Sequence, residues 1–224
     1  MTTPPAPKQR IQIAGPAGPL EVLVEAAQNP GAALCVVCHP HPQYGGTLDN
    51  KVVYTLARAA NELGAIAVRF NFRGVGHSAG AFDHGVGELD DLLAVVAWAR
   101  AAYPDRSLHL AGFSFGAAVA LRGHVAADAT SLLLVAPPAG MGYLDEAIAP
   151  RRPWHVIHGS RDELIGLDVL RRWLATVAGA TPPLTVIDDA DHFFHGRLTP
   201  LREAARAFWS QQMPACLDTT GGAD

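Results

Sequence analysis

The sequence predicts an α/β fold: a doubly wound, mostly parallel sheet opened by an antiparallel N-terminal hairpin. Three observations carry this. Short runs that are apolar on both alternating positions recur at 32–38, 66–72, 108–112, 132–136, 155–158 and 184–187. Such runs suit strands covered on both faces. Longer amphipathic segments alternate with them, the order that builds parallel strands with helical crossovers. Ahead of these, 9–13 and 20–26 flank Gly15-Pro16-Ala17-Gly18-Pro19, a turn-rich stretch that reads as a hairpin.

The helices follow from spacing and termini. Val52, Val53, Leu56, Ala60 and Leu63 repeat at helical spacing and stop at Gly64, a good residue to end a helix. Leu89, Leu92, Leu93 and Val96 do the same, and Glu88, Asp90 and Asp91 read as a solvated first turn where the helix dipole favours carboxylates. A third helix is expected over 116–126. Thr199 and Pro200 read as N-cap and first residue of a last helix carrying Leu201, Ala204, Ala205, Phe208 and Trp209. With 224 residues, 49% of them hydrophobic, the chain can bury one sizeable core. A single domain is expected over 9–213, between a flexible Pro-rich start (1–8) and a flexible Gly/Thr/Asp tail (214–224).

Composition narrows the partners. Seventeen basic and 21 acidic side chains give a formal charge of −4, with no basic run, so no nucleic-acid or anionic-membrane surface is expected. No window approaches the roughly 18 apolar residues of a membrane span, and prolines at 4, 5 and 7 occupy the place of a signal peptide's apolar stretch. A cytoplasmic protein is expected. Cys35 and Cys38 lie about 10 Å apart along one strand, beyond disulfide reach, so they read as reduced core thiols. No HExxH or Cys/His cluster offers a metal site, and Gly45-Gly46 belongs to neither phosphate-binding motif, so no metal or cofactor is expected. No surface stripe demands a second copy, which leaves the oligomeric state open.

In open parallel sheets the functional groups gather at the carboxyl ends of the strands. There, Gly112-Phe113-Ser114-Phe115-Gly116 places a serine in a strand-to-helix turn too sharp for larger neighbours, with helix N–H groups behind it for a developing oxyanion. A serine hydroxyl needs a base, and the base needs a group that holds its tautomer. Asp162 follows the strand at 155–158, and His192 follows the strand at 184–187. His195 is the competing base and Glu163 the competing acid. Asp145 is a third acid, set too far into its loop.

These features together resemble the serine α/β hydrolases, in particular a small lidless bacterial branch whose first loop reads His39-Pro40-His41-Pro42-Gln43-Tyr44-Gly45-Gly46-Thr47. Asn71-Phe72-Arg73-Gly74-Val75-Gly76-His77-Ser78, Gly159-Ser160-Arg161-Asp162 and Asp191-His192-Phe193-Phe194 match as well, so the resemblance spans roughly 30–213. It implies Ser114 as nucleophile, His192 as general base and acid, and Asp162 as orienting carboxylate. The oxyanion hole would pair the N–H of Phe115 with that of His41, because Pro40 and Pro42 have none to give; Gln43 is the alternative. His39 would brace that loop. Asn71, Arg73 and Asp83 would stabilise loops near the site, with Gly74 and Gly76 as turn glycines.

A cap domain in this fold is usually inserted between the strand ending near Ala136 and that beginning near His155. Only 137–153 are available, so no cap domain is expected, and Phe82, Met141, Tyr143 and Leu144 become candidate walls of a shallow substrate site. The implied activity is hydrolysis of a small-molecule carboxylic ester or thioester through an acyl-enzyme. A peptidase or carbon–carbon hydrolase on the same residues, and a noncatalytic binding protein that kept the fold, are the alternatives.

Overall fold

The computed structural model describes residues 8–27, 31–145, 150–177 and 184–213. The expected flexible tail, and all but Lys8 of the expected flexible start, lie outside the described residues, as does Cys216. Lys8 already belongs to the first strand, which begins one residue earlier than expected.

One eight-stranded sheet organises the described residues, in the order β1-β2-β4-β3-β5-β6-β7-β8. β1 (Lys8–Gly15) and β2 (Gly18–Glu25) form the hairpin, and β2 runs antiparallel to β4 (Ile66–Phe70). The others are parallel: β3 (Ala33–Cys38), β5 (Ser107–Phe113), β6 (Ser131–Val135), β7 (Trp154–Gly159) and β8 (Leu184–Ile187). Alternation along each strand splits its side chains between two apolar layers. Leu34, Val36 and Cys38 join the layer covered by α2 (Val86–Ala102), α3 (Phe115–Gly123) and α4 (Leu167–Thr176). Ala33, Cys35 and Val37 join the layer covered by α1 (Lys51–Asn61) and α5 (Leu198–Trp209). The two cysteines thus face opposite sides of the sheet, and burial pushes both thiols well above their ordinary pKa.

Several expectations change. α3 ends at Gly123, short of Ala126, because His124 to Asp128 turn back onto the helix end. α5 starts at Leu198 with Arg197 in the capping position. Thr199 and Pro200 therefore sit inside its first turn, where a proline loses nothing because those N–H groups lack intrahelical partners. α4, whose buried face is only Leu170 and Leu174, was not singled out by the sequence.

The carboxylates at the start of α2 need the largest correction. Asp90 is exposed, but Glu88 and Asp91 are fully buried. Glu88 accepts from the N–H groups of Asp83 (2.8 Å) and Gly85 (2.7 Å), closing the loop before the helix. Asp91 accepts from the Arg73 backbone N–H at 2.9 Å and from its guanidinium at 2.8 Å. This pair ties the 71–80 loop to α2. Breaking a buried pair leaves an uncompensated charge, so Asp91→Ala should cost about 3–5 kcal/mol. Adding Arg73→Leu should restore part of that loss, measured by urea unfolding; a single variant as stable as the native chain would refute the pairing argument.

Candidate active site

Four carboxyl strand ends meet at one edge. After β5 the chain turns within a single residue: Ser114 holds φ 53° and ψ −120°, a conformation that costs a non-glycine residue about 1–3 kcal/mol. It persists because its N–H is bonded to Val135 O at 2.9 Å and its carbonyl accepts from Ala117 N at 2.8 Å. The flanking glycines are a packing requirement. A Cβ on Gly112 would lie 2.1 Å from Gly116 O, and one on Gly116 would lie 2.4 Å from His39 O.

The loops after β7 and β8 are pinned together, with Ser160 N donating to Ile187 O at 3.0 Å and Arg161 N to Ala190 O at 2.9 Å. This brings Asp162 to His192. His192 Nδ1 lies 2.8 Å from Asp162 Oδ2, and its Nε2 lies 3.1 Å from Ser114 Oγ. The other carboxylate oxygen of Asp162 accepts from Leu164 N (3.0 Å) and Ile165 N (2.8 Å). Burial alone would raise the Asp162 pKa, yet the bonds from His192 and Ile165 hold it below the ordinary carboxylate value. Asp162 is therefore an anion facing Nδ1, which places a proton there and leaves Nε2 free to accept from the serine. His158, buried beside them, donates Nε2–H to Ile165 O at 2.8 Å and stays neutral because burial lowers its pKa.

The competing residues sit elsewhere. Glu163 accepts from the backbone N–H of His192 at 3.1 Å, so it holds the loop. His195 pairs on the surface with Asp191 at 2.7 Å. Asp145 is exposed and has no bond to His192.

The loop after β3 faces the serine. His39 is buried, donates Nδ1–H to Pro40 O at 2.6 Å and accepts from Phe72 N at 3.0 Å, bracing the loop against β4. Beyond it, 42–44 form one 3-10 turn with the His41 ring accepting from Gln43 N at 3.2 Å. Among the described residues the N–H groups of His41 and Phe115 have no intramolecular acceptor.

Three similar chains supply the comparison, two of them of solved structure. A serine α/β hydrolase without lid from Xanthomonas campestris is 42% identical, with TM-score 0.90 over 97% of this chain and 100% of that one. An α/β serine hydrolase homologue from Coxiella burnetii is 37% identical, with TM-score 0.87 over 92% of this chain and 99% of the other. The chain belongs to the α/β-hydrolase superfamily. The α/β-hydrolase fold family matches residues 40–123. An uncharacterized protein of Rickettsia prowazekii is 33% identical over 194 residues, 83% of this chain and 82% of that one. The fold is the version without a lid: between β6 and β7 the described residues form only turns.

In this α/β hydrolase, Ser114 and His192 open into a cavity of about 550 Å³. Met141 and Tyr143, two of the candidate wall residues, line it. Leu144 does not, because it turns inward to the core, and Phe82 instead packs behind the wall, its ring 4.7 Å from that of His41 and 5.8 Å from that of Phe115. Tyr44, Asn50, Leu164, Ile165 and Phe193 line it without having been expected. Phe193 was legible in principle, since it adjoins His192; Leu164 and Ile165 were not, because their place depends on how the 162–165 turn wraps the carboxylate.

Two buried histidines give the fold a sign in acid. Burial lowers the His39 and His109 pKa values from the ordinary 6.5 to about 4. Below pH 6.5 the unfolded chain takes up a proton at each ring that the fold refuses until about pH 4. Stability is therefore complete above that window and is lost as pH falls through it, by about 1.4 kcal/mol per pH unit for each ring. Urea midpoints at pH 7, 5.5 and 4.5 should fall in order; a flat series would mean that the rings are not buried in neutral form.

Proposed function

We propose that this chain is a serine hydrolase acting on uncharged carboxylic esters or thioesters through an acyl-enzyme on Ser114. The observation that carries the reading is the Ser114–His192–Asp162 hydrogen-bond chain at an apolar cavity. His192 Nε2 takes the serine proton as Oγ attacks the carbonyl carbon. The tetrahedral oxyanion accepts from Phe115 and His41, and collapse expels the alcohol or thiol, which leaves with the proton from His192. Water then attacks the acyl-enzyme with His192 as base, and the acid departs as Oγ regains its proton.

His41 is favoured over Gln43 as second oxyanion donor because Gln43 N–H is already spent on the His41 ring. Each such donor is worth roughly 10²–10³-fold in kcat. The substrate class rests on the wall. The described residues that line the cavity include no Lys, Arg, Asp or Glu, so a charged substrate group among them would stay unpaired. Four large apolar side chains, Tyr44, Met141, Leu164 and Phe193, remain exposed around it and suit an acyl chain.

The test is a matched set of one acyl group presented as an ester, a thioester and an anilide. Hydrolysis of the first two is expected, with kcat/KM rising up to about fourfold per added methylene while the chain lies in the cavity. An anilide cleaved as fast as the ester, or a rate indifferent to chain length, would overturn the substrate class.

A further inference from the structure

Two hydrogen bonds direct one proton of the cavity wall. Gln43 N–H can only donate, and it points at His41 Nδ1, 3.2 Å away. That nitrogen is therefore the acceptor of the ring. Burial lowers the His41 pKa, so the ring is neutral and carries its single hydrogen on Nε2. Nε2 lies 3.1 Å from the hydroxyl of Tyr143, so it donates there. Burial in turn raises the Tyr143 pKa and keeps the phenol protonated. Its oxygen is occupied as acceptor, its ring stands edge-on to Phe115 at 5.2 Å, and among the described residues its O–H has no acceptor. Tyr143 lines the cavity, so this hydrogen is available to a ligand there.

Asn50 repeats the pattern. Its Oδ1 accepts from Val52 N at 2.9 Å and Val53 N at 3.4 Å, so its amide hydrogens are the end left over, on the same wall. The wall thus offers neutral donors in an otherwise apolar, uncharged setting.

We propose that Tyr143 is a specificity-determining residue whose hydroxyl donates to a neutral oxygen acceptor, a carbonyl, ether or hydroxyl, carried by the substrate away from the scissile bond. This rests on the ester-hydrolase reading above. An all-hydrocarbon chain would expel water from the phenol and leave its hydrogen unpaired, whereas an oxygen at the right position satisfies it. Sites that hydrogen-bond a substrate group discriminate through that asymmetry.

The experiment uses p-nitrophenyl heptanoate beside its 4-, 5- and 6-oxo analogues, with a second set carrying the keto group in the alcohol portion. Rates are normalised to hydroxide-catalysed hydrolysis. The native protein should favour one keto position over the hydrocarbon by about three- to tenfold. Tyr143→Phe should erase that preference through KM, read as the keto-to-hydrocarbon ratio within the variant, since the bond forms in the bound ground state as well. The same preference should appear as a ratio of dissociation constants on Ser114→Ala protein and vanish in Ser114→Ala/Tyr143→Phe. Equal preference across all keto positions, or a keto preference that persists in Tyr143→Phe, overturns the proposal. A binding preference on Ser114→Ala, with no turnover and no phosphonylation of native Ser114, would instead overturn the hydrolase reading and leave the subsite standing.

Discussion

Ser114→Ala is expected to lower kcat by roughly 10⁶-fold, the scale on which removing an activated serine acts, while leaving the fold intact. Among the described residues the Ser114 hydroxyl has one partner, His192 Nε2 at 3.1 Å, so its loss deletes no other support seen there. Alanine inherits the same backbone, φ 53°, with the same strain. Glycine does not: Ser114→Gly should be equally inactive yet more stable by about 1–3 kcal/mol, because the strain is relieved. Opposite changes in stability and activity at one atom's remove would mark a residue held in place for chemistry. Intact-mass measurement after exposure to a fluorophosphonate provides the direct check. The native chain should gain one phosphonyl group and Ser114→Ala none; an adduct that persists in the variant, or a folded native chain that takes up none, would remove Ser114 from the mechanism.

Gly116→Ala should have the second-largest effect, and it should strike stability and catalysis together. The added Cβ would fall 2.4 Å from His39 O and 2.5 Å from Cys38 O, both backbone atoms that cannot rotate away. α3 must then withdraw from the end of β3 at a cost of about 3 kcal/mol or more. The same displacement would separate the Phe115 N–H from that of His41, two residues beyond His39, so kcat should fall by roughly 10²–10³-fold even where the variant is folded. Gly45→Ala makes the stability comparison. Gly45 has φ 78° but no atom of the described residues within 4 Å of a new Cβ, so only the backbone penalty of about 1–2 kcal/mol applies. Thermal unfolding and single-turnover kinetics on both variants separate the two costs, and a fully stable, fully active Gly116→Ala would show that β3 and α3 are not wedged at this contact.

Much of this arrangement was readable along the chain because it is set by local rules. Runs apolar on both faces marked the inner strands, and the glycines on either side of Ser114 marked a turn in which strand and helix nearly touch. Asp162 and His192 were recognisable because each follows such a run within a few residues. What failed were inferences about environment. Glu88 and Asp91 look like solvated helix-start carboxylates, and only the return of the 73–85 loop gives them Asp83, Gly85 and Arg73 as partners and removes them from water. Leu144 was read as wall and is core, for the same reason in reverse.

By itself, then, the sequence determined the α/β class, the strand–helix order and which strand ends carry a serine, a carboxylate and a histidine. These depend on periodicity, on turn chemistry and on the rule that parallel strands present their carboxyl ends at one edge. Tertiary structure alone decided that Asp162 faces His192 Nδ1 rather than solvent, and that Tyr143, once bonded to the ring of His41, is left with a proton to give. Those outcomes depend on which groups find a partner within about 3 Å, and partners 30 or 100 residues apart are chosen by packing, which no local pattern records.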